Sequence, residues 1–372
     1  MIGVGVIGVG AAALTAHLPA LSGSDRFRLV GICDTSPSRL AAAHERFPVQ
    51  AFATAEALLL EQGLDAVVVA TPPQTHAAIA ADAIRRGKHV LCEKPLARTV
   101  EECRELVDAA VRAGVVLGVA HEKRFHPTLR RVRELIAGGE LGTLFFGGVH
   151  WASAAKLEPE RLIPEGFRHG YEWRWRDPDV GGGLVQDHLP HYVDLMRFWT
   201  GQEPVDVHAH VVNVARDLLG WPPAESVWED FGLALVRFSQ GFFFRFETSV
   251  VGRSLSPIWS LGSGLGEWTE YGYLLGSDGQ LVFDLLPWDS SEHGRIALNR
   301  RAGEGWLSLD QPEPERRWGG AARAMFRDQV AAWADAIDGR ASDLATGEDG
   351  LVCIAAVEAA YQAADAARGV SV

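Results

Sequence analysis

Cysteine is scarce in this sequence, with only four among 372 residues, and none of them forms a C-x-x-C pair or a metal-type cluster. A disulfide framework and a cysteine-ligated metal centre are therefore not expected, and no metal site of any kind is predicted. We expect a reduced, cytoplasmic protein in which each cysteine is a small buried apolar residue. The four are Cys33, Cys92, Cys103 and Cys353.

Long apolar runs, internal repeats and low-complexity tracts are also missing. No stretch of about 18 apolar residues is free of charges, so no membrane span is predicted. The opening MIGVGVIGVG has no basic residue, and glycines interrupt its apolar run. This pattern indicates a strand and a turn rather than a signal peptide.

Positive charge is the third deficit, because 35 basic residues stand against 48 acidic ones, for a net charge of −13. Binding to nucleic acid or to an anionic membrane over a broad surface needs a basic face. Both partner classes are therefore disfavoured. A small ligand in a local basic pocket stays compatible with this charge.

The first 120 residues alternate between short apolar segments and helix-like segments. Strands are predicted at 2–7, 27–33, 66–70, 90–92 and 115–119, and helices at 11–22, 36–46, 75–87 and 99–113. Strands separated by helices of this length indicate parallel βαβ units. We place the first domain at residues 1–122.

The pattern changes after a helix predicted at 127–137. Longer segments of alternating polarity follow, and two of them contain the turn signals SQG and SDGQ. They indicate a mainly antiparallel sheet with one helix inserted near 184–199, and two more helices end the chain. We place this second, α+β domain at residues 123–372.

A glycine-rich turn follows the first strand. Gly8, Gly10 and Ala13 give the spacing G-x-G-x-x-A before a helix, which is typical of a turn that approaches a pyrophosphate. Asp34 ends the second strand, where a carboxylate accepts hydrogen bonds from a free ribose 2′-hydroxyl. NAD is therefore the predicted cofactor. Arg39 lies close enough to leave NADP open, unless it is an ordinary solvated helix charge.

The helix near 184–199 carries a candidate acid–base pair. Asp187 and His191 are four residues apart and share one helix face, and Asp194 stays near that face. A histidine beside a carboxylate suits a general base. A helix histidine with an ordinary i,i+4 partner is the alternative. Pro190 predicts that this helix starts late or bends.

Four motifs resemble the glucose–fructose oxidoreductase / inositol dehydrogenase / MocA family, and the resemblance spans essentially the whole chain. They are GVIGVGAAALTAHLPAL, ATPPQTH at 70–76, EKPLA at 93–97 and GGGLVQDHLPHYVDL at 181–195. The resemblance implies an N-terminal Rossmann domain with a parallel, doubly wound sheet. It also implies a C-terminal domain with an open, mainly antiparallel sheet that forms homodimers or homotetramers. Family members exchange hydride between sugars or polyols and NAD(H) or NADP(H).

The resemblance also implies residue roles. In such enzymes the lysine of EKP reaches the substrate, which assigns catalysis here to Lys94, together with the pair Asp187 and His191. A surface ion pair with a turn proline is the alternative for this motif. Glu93 would place the lysine or the nicotinamide riboside, and a cis bond is expected before Pro95. The ATPPQTH motif adds Thr71, Pro72 and His76 to the predicted cofactor site.

Substrate contacts are expected in three places. Lys123 and Arg124 follow the last Rossmann strand, and an Arg- and Trp-rich segment at 167–179 contains Trp173 and Trp175. His188 stands where family members often have glycine, and Asp194 completes the set. Aromatic faces suit sugar C–H surfaces, and arginine suits an anionic group.

The resulting hypothesis is an NAD-dependent dehydrogenase for a secondary alcohol of a sugar, glycoside or cyclitol. An NAD-dependent glycosidase, which oxidises, eliminates, hydrates and reduces without net NADH, would use the same residues, including on an anionic sugar. A non-catalytic NAD sensor is disfavoured because Lys94, Asp187 and His191 are all present.

Overall fold

The computed structural model describes residues 1–153, 182–214, 229–249, 268–285, 294–301, 303, 305–309 and 320–366. Contacts divide the chain into two compact units. One contains Met1–Phe125 and Ala322–Ala355, and the other contains His126–Ala321 and Ala356–Val372. This division places 322–355 with the N-terminal part of the chain, whereas the sequence-based domains of 1–122 and 123–372 stay a prediction.

The first unit is built on a seven-stranded sheet of order β15-β6-β5-β4-β1-β2-β3. All neighbouring strands are parallel except β15, which runs antiparallel to β6. The predicted parallel Rossmann sheet is confirmed. Its strands are β1 (Ile2–Ile7), β2 (Phe27–Cys33), β3 (Gln50–Phe52), β4 (Ala66–Val69), β5 (His89–Glu93), β6 (Leu117–Ala120) and β15 (Ala345–Thr346).

Five α-helices connect the parallel strands. They are α1 (Leu18–Ser22), α2 (Pro37–Arg46), α3 (Ala55–Leu59), α4 (His76–Arg85) and α5 (Val100–Ala113). A π-helical turn, Ala13–His17, precedes α1, and short 3₁₀ turns lie at Pro73–Thr75 and Glu122–Phe125. The elements β3 and α3 were not predicted, because three and five residues are too few for a hydrophobic period to show.

The helix α8 (Gly320–Ile337) joins the first unit through its buried face. Trp333 is fully buried and stacks on Phe27 of β2, with ring centroids 5.1 Å apart. Arg26 adds ion pairs to Asp335 at 3.0 Å and Asp338 at 2.6 Å. Chain order alone favoured the second domain for this helix. The packing against β2 and the pairing of β15 with β6 are long-range contacts that local sequence patterns do not report.

The second unit contains an eight-stranded sheet of order β14-β13-β12-β11-β7-β10-β9-β8. Only β7 and β10 are parallel to each other, so the predicted mainly antiparallel sheet is confirmed. Its strands are β7 (Leu144–Ser153), β8 (Pro204–Val212), β9 (Phe231–Phe238), β10 (Phe243–Ser249), β11 (Trp268–Gly276), β12 (Gly279–Leu285), β13 (Arg295–Arg300) and β14 (Leu307–Leu309).

Among the described residues of this unit, the helices are α6 (Pro127–Ala137) and α7 (Leu184–Thr200), while α9 (Gly347–Ala366) has residues in both units. Nearly every side chain of α7 is buried, and Tyr192 donates a 2.6 Å hydrogen bond to Glu270 of β11. The prediction that Pro190 makes α7 start late is wrong, since the helix begins six residues before it, while the alternative that the helix bends stays a prediction. Burial against the sheet offsets the one backbone hydrogen bond that a proline removes.

Two predictions from composition can be compared with this fold. All four cysteines are buried, as expected for small apolar residues. Among the described residues, no helix is both long enough and apolar enough to cross a membrane.

The contact between Trp333 and Phe27 gives a stability prediction. Trp333→Ala should lower the free energy of unfolding by roughly 3–5 kcal/mol, because a buried indole is replaced by a cavity. Chemical denaturation followed by circular dichroism measures the change. Trp306→Ala is the matched control, since Trp306 is 48% exposed and its loss should matter by less than about 0.5 kcal/mol. Equal effects of the two substitutions would contradict the contribution assigned to α8.

Candidate active site

The glycine-rich turn after β1 has the geometry of a phosphate-binding turn. Gly8 has φ +89°, and a Cβ there would lie 2.5 Å from the carbonyl oxygen of Ala70, so only glycine fits. A Cβ on Gly10 would meet nothing within 4 Å, which leaves that side of the turn open to a ligand. Ala13 is fully buried where the helical segment begins. These features fit the pyrophosphate of a dinucleotide.

Asp34 lies at the end of β2 with its carboxylate tied to this turn. One oxygen accepts a 3.0 Å hydrogen bond from the backbone of Val9, and the other accepts a 2.8 Å bond from Ser36. Arg39 also binds the carboxylate, through Nε at 3.2 Å and Nη2 at 2.9 Å. Arg39 is therefore the ion-pair partner of Asp34 and not an isolated helix charge. A carboxylate held here faces the place where a ribose hydroxyl is expected.

His76 joins the two turns that follow β4 and β5. Its Nδ1 lies 2.8 Å from the carbonyl oxygen of Pro95, and its Nε2 lies 2.7 Å from that of Thr71. A carbonyl oxygen only accepts hydrogen bonds, so both contacts are satisfied when both ring nitrogens carry hydrogen. His76 therefore links the turn after β4 to the turn after β5. Thr75 reinforces the first turn by donating a 2.8 Å bond to Pro72.

Glu93 ends β5 and is held on both sides of its carboxylate. His17 of the π-helical turn lies 2.7 Å away through Nε2, and the backbone N–H of Lys94 donates a 3.2 Å bond. His17 is fully buried and meets the ring of Phe326 edge-on at 5.3 Å. The bond between Lys94 and Pro95 is cis, as the resemblance implied. His17 belongs to no motif that marks it in the sequence, because only the fold brings it to Glu93.

Glu122 is a buried acid of this unit that no sequence pattern points to. Burial raises its pKa to about 7, and the nearby charge of Glu93 adds to that rise, while Lys123 and Lys94 oppose it. A carboxyl group with such a pKa exchanges its proton near neutral pH. The residue directly precedes the candidates Lys123 and Arg124 in HEKRFHP, but its burial is not visible in the sequence.

Lys123 and Arg124 differ in their surroundings. Lys123 is half-buried, whereas Arg124 is buried and paired with Asp349 at 3.2 Å. Arg124 also donates a 3.3 Å hydrogen bond to the carbonyl of Asp343. Both partners belong to the C-terminal segment of the same unit, so these contacts attach that segment to the end of β6.

Helix α7 carries four buried polar residues that were predicted as site residues: Asp187, His188, His191 and Asp194. His188 stacks on Trp151 of β7 with ring centroids 3.9 Å apart, and its Nδ1 lies 3.0 Å from the carbonyl of Leu184. Its Nε2 lies 3.6 Å from Asp187. The ring orientation of His188 is thus set by the sheet and the helix backbone. Trp173 and Trp175 lie outside the described residues.

The turn and the acidic strand end define the class of the first unit, a Rossmann domain that binds NAD. A family model described as an oxidoreductase family with an NAD-binding Rossmann fold matches residues 2–121, and the corresponding C-terminal domain model matches residues 129–259. The chain belongs to the Gfo/Idh/MocA family of NAD-dependent oxidoreductases.

Individual relatives agree over most of the chain. A 1,5-anhydro-D-fructose reductase from Ensifer adhaerens is 30% identical over 90% of this chain and 88% of its own length. An inositol 2-dehydrogenase from Rubrobacter xylanophilus is 28% identical over 85% and 80%. The crystal structure of GenD2 from gentamicin A biosynthesis, in complex with NAD, is 25% identical. It has a TM-score of 0.77 and covers 99% of this chain and 95% of that one.

The raised pKa of Glu122 gives a prediction on stability. This carboxyl group binds its proton more tightly in the folded state than in the unfolded state, where the usual pKa is 4.5. Between about pH 4.5 and pH 7 the native state keeps the proton that the unfolded state releases, so this group lowers stability as the pH rises and has a constant effect above that range.

Glu122→Gln should therefore gain stability over wild type between pH 5 and pH 8, by roughly 1–3 kcal/mol. Denaturation midpoints of both proteins across this pH range measure the difference in stability between variant and wild type. Groups that the two proteins share contribute equally to both and cancel in this difference. Glu101→Gln, in which an exposed glutamate of the same unit is changed, serves as control and should shift little at any pH. Parallel profiles for wild type and Glu122→Gln would contradict the burial assigned to Glu122.

Proposed function

We propose that this protein transfers a hydride between NAD and a secondary alcohol of a sugar, glycoside or cyclitol, assisted by Lys94 and His191. The observation that carries the proposal is the arrangement at the end of β5. The carboxylate of Glu93 is bound there by His17 and by the backbone N–H of Lys94, which follows it. The names of the relatives support the substrate class. One is a reductase of 1,5-anhydro-D-fructose, and another is an inositol 2-dehydrogenase.

Lys94 supplies positive charge at the reacting oxygen. The backbone on both sides of Lys94 is held by hydrogen bonds. The N–H of Lys94 binds the carboxylate of Glu93, and the carbonyl of Pro95 binds His76. A lysine whose backbone is held in this way presents its ammonium group with little reorganisation. Such preorganised charge stabilises the alkoxide character that develops during hydride transfer.

His191 takes the proton of the substrate hydroxyl, and Asp187 on the same helix supports its charged form. NAD, when bound, would supply the acceptor for the hydride from the carbon that carries this hydroxyl. One proton and one hydride leave the alcohol, and a ketone results. Asp187 and His191 are both buried on α7, which limits the access of water to them.

The remaining predicted residues have supporting roles in this proposal. Gly8, Gly10, Ala13 and Asp34 hold the dinucleotide, and Thr71, Pro72, His76 and Glu93 shape its nicotinamide end. The substrate set consists of Lys123, Arg124, Trp173, Trp175, His188 and Asp194. The ion pair of Arg124 with Asp349 and the stacking of His188 on Trp151 favour indirect, positioning roles for these two.

We further propose a cytoplasmic homodimer or homotetramer that uses the sheet of the second unit. Aromatic residues on one face of neighbouring strands support this, since Phe243 of β10 is 37% exposed and its register partner Phe146 of β7 is half-buried beside Tyr273 of β11. Apolar side chains of this size are characteristic of protein–protein contacts when they cluster on one surface.

Cofactor preference gives the next prediction. Asp34→Ser should weaken NAD binding much more than NADP binding, because it removes the acceptor for the ribose hydroxyls and releases Arg39 toward a 2′-phosphate. Fluorescence titration with both cofactors measures the ratio of affinities. In Asp34→Ser combined with Arg39→Ala, the relative gain for NADP should disappear. An unchanged NAD affinity in Asp34→Ser would contradict the assignment of the ribose site.

The reaction itself is tested by offering sugars and aryl glycosides with NAD and following NADH absorbance and aglycone release together. Lys94→Ala and His191→Asn should each lower kcat/KM about a hundredfold or more while NAD binding persists. Lys88→Ala is the matched control, because Lys88 precedes the opposite end of β5 and contacts the carbonyl of Leu64. It should keep wild-type activity.

The same assay separates the dehydrogenase from the NAD-dependent glycosidase. Net NADH that accumulates with ketone supports the proposal. Aglycone release over many turnovers without NADH would replace it by the glycosidase, and near-native rates in both variants would overturn the catalytic assignment. No observation on the described residues favours the glycosidase.

A further inference from the structure

Helix α7 begins without a capping side chain of its own. Its N-cap residue is Gly183, and both Gly182 and Gly183 have positive φ, at +82° and +96°. The first four N–H groups of a helix have no partner within the helix, and a side chain from the N-cap residue usually satisfies one of them. A buried helix start such as this one therefore requires partners from elsewhere in the fold.

Glu229 and Tyr361 supply those partners. Glu229, which lies just before β9, accepts a 2.5 Å hydrogen bond from the N–H of Val185 through Oε1. The hydroxyl of Tyr361 on α9 lies 2.7 Å from the carbonyl oxygen of Gly182 and 3.0 Å from the same Oε1. Burial raises the pKa of this phenol well above its usual value, and a hydrogen bond from the backbone of Gln186 acts in the opposite direction.

The glycines before α7 make room for this arrangement. A Cβ on Gly183 would lie 2.6 Å from Cδ of Glu229, closer than any real contact. A capping side chain on residue 183 and the carboxyl group of Glu229 therefore exclude each other. The fold uses a distant glutamate in place of a local cap, and the glycine-rich stretch before the helix is the consequence.

We propose that Glu229 and Tyr361 are the positioning residues of α7, which fix its first turn and thereby the place of Asp187. The inference rests on the proposed function for the role of Asp187 and His191. The two residues themselves lie far from Asp187 in sequence. Asp187 follows the capped turn directly, and its N–H closes the first intrahelical bond to Gly183 at 3.1 Å.

The number of hydrogens on Glu229 and Tyr361 determines which hydrogen bonds they can make. The phenol of Tyr361 has one hydrogen and two oxygen neighbours, the carbonyl of Gly182 and Oε1 of Glu229. Both contacts are hydrogen bonds when Glu229 is protonated and donates to Tyr361, which in turn donates to Gly182. When Glu229 is ionised, the phenol hydrogen turns to the carboxylate and the carbonyl of Gly182 loses its donor. The hold on residue 182 thus depends on one proton.

The electrostatic surroundings favour a proton on this pair near neutral pH. Burial raises the pKa of Glu229 to about 7, against the lowering effects of Val185, Tyr361 and Leu184, and the charge of Asp230 adds to the rise. Burial and the charge of Glu229 raise the pKa of Tyr361, and Asp187 acts in the same direction. Among the described residues, Oε2 of Glu229 is buried without a hydrogen-bond partner, which suits a neutral carboxyl group better than an anion.

Amide hydrogen exchange of the first turn of α7 tests the positioning directly, without substrate or cofactor turnover. Tyr361→Phe and Glu229→Ala should speed exchange at 184–187 by about tenfold or more relative to wild type at the same pH. Glu229→Gln keeps an acceptor for the N–H of Val185, so it should retain more of this protection than Glu229→Ala does. Tyr192→Phe removes another buried tyrosine–glutamate bond, to Glu270, and should leave these amides unchanged.

Wild-type exchange rates in both Tyr361→Phe and Glu229→Ala would overturn the proposal. If Glu229→Ala does not fold, Tyr361→Phe alone decides it. The second readout is the pH profile of kcat at saturating NAD. Because Glu122 also has a pKa of about 7, the test is the difference between the two profiles: the profile of Glu229→Gln should depart from that of wild type near pH 7, and identical profiles would exclude the shared proton. Failure of every sugar to react would affect the proposed function only, since the exchange result stands without it.

Discussion

Polar side chains buried at strand ends must find fixed partners, and this constraint shapes the first unit. Glu93 has His17 and a backbone N–H, Asp34 has two backbone N–H groups and Arg39, and His76 has two carbonyl oxygens. A buried polar group without a hydrogen-bond partner lowers stability. Each partner therefore removes this cost and also fixes the orientation of the side chain that it binds. Side chains therefore link the turns after β1, β4 and β5. His17 connects the segment after β1 to Glu93 at the end of β5, and His76 bridges the turns after β4 and β5.

The second unit meets the same constraint by different means. Helix α7 carries several ionisable side chains on a surface that is almost wholly buried. The sheet supplies their surroundings, through the ring of Trp151 and the carboxylate of Glu270. The start of the helix receives partners from Glu229 and Tyr361. A buried helix with glycines at its start is stable only because these remote groups replace a local cap.

Much of the architecture was predictable because it follows local rules. The glycine spacing, the βαβ alternation and the change to alternating polarity near residue 144 depend on neighbours within about 20 residues. The short elements β3 and α3 were not predicted, and neither was the packing of α8 in the first unit. Trp333 has the same helical spacing wherever α8 docks, so its partner Phe27 had to come from the fold.

The sequence by itself determined the class of protein, since the glycine turn, Asp34, the EKP element and the helix with Asp187 and His191 are all visible as patterns. Only the tertiary structure decided which groups act on those residues. The partners His17, Glu122, Glu229 and Tyr361 lie up to 179 residues from the groups they contact or influence. Spacing rules describe neighbours along one strand or helix, whereas burial and the pairing of distant side chains exist only after the chain has folded.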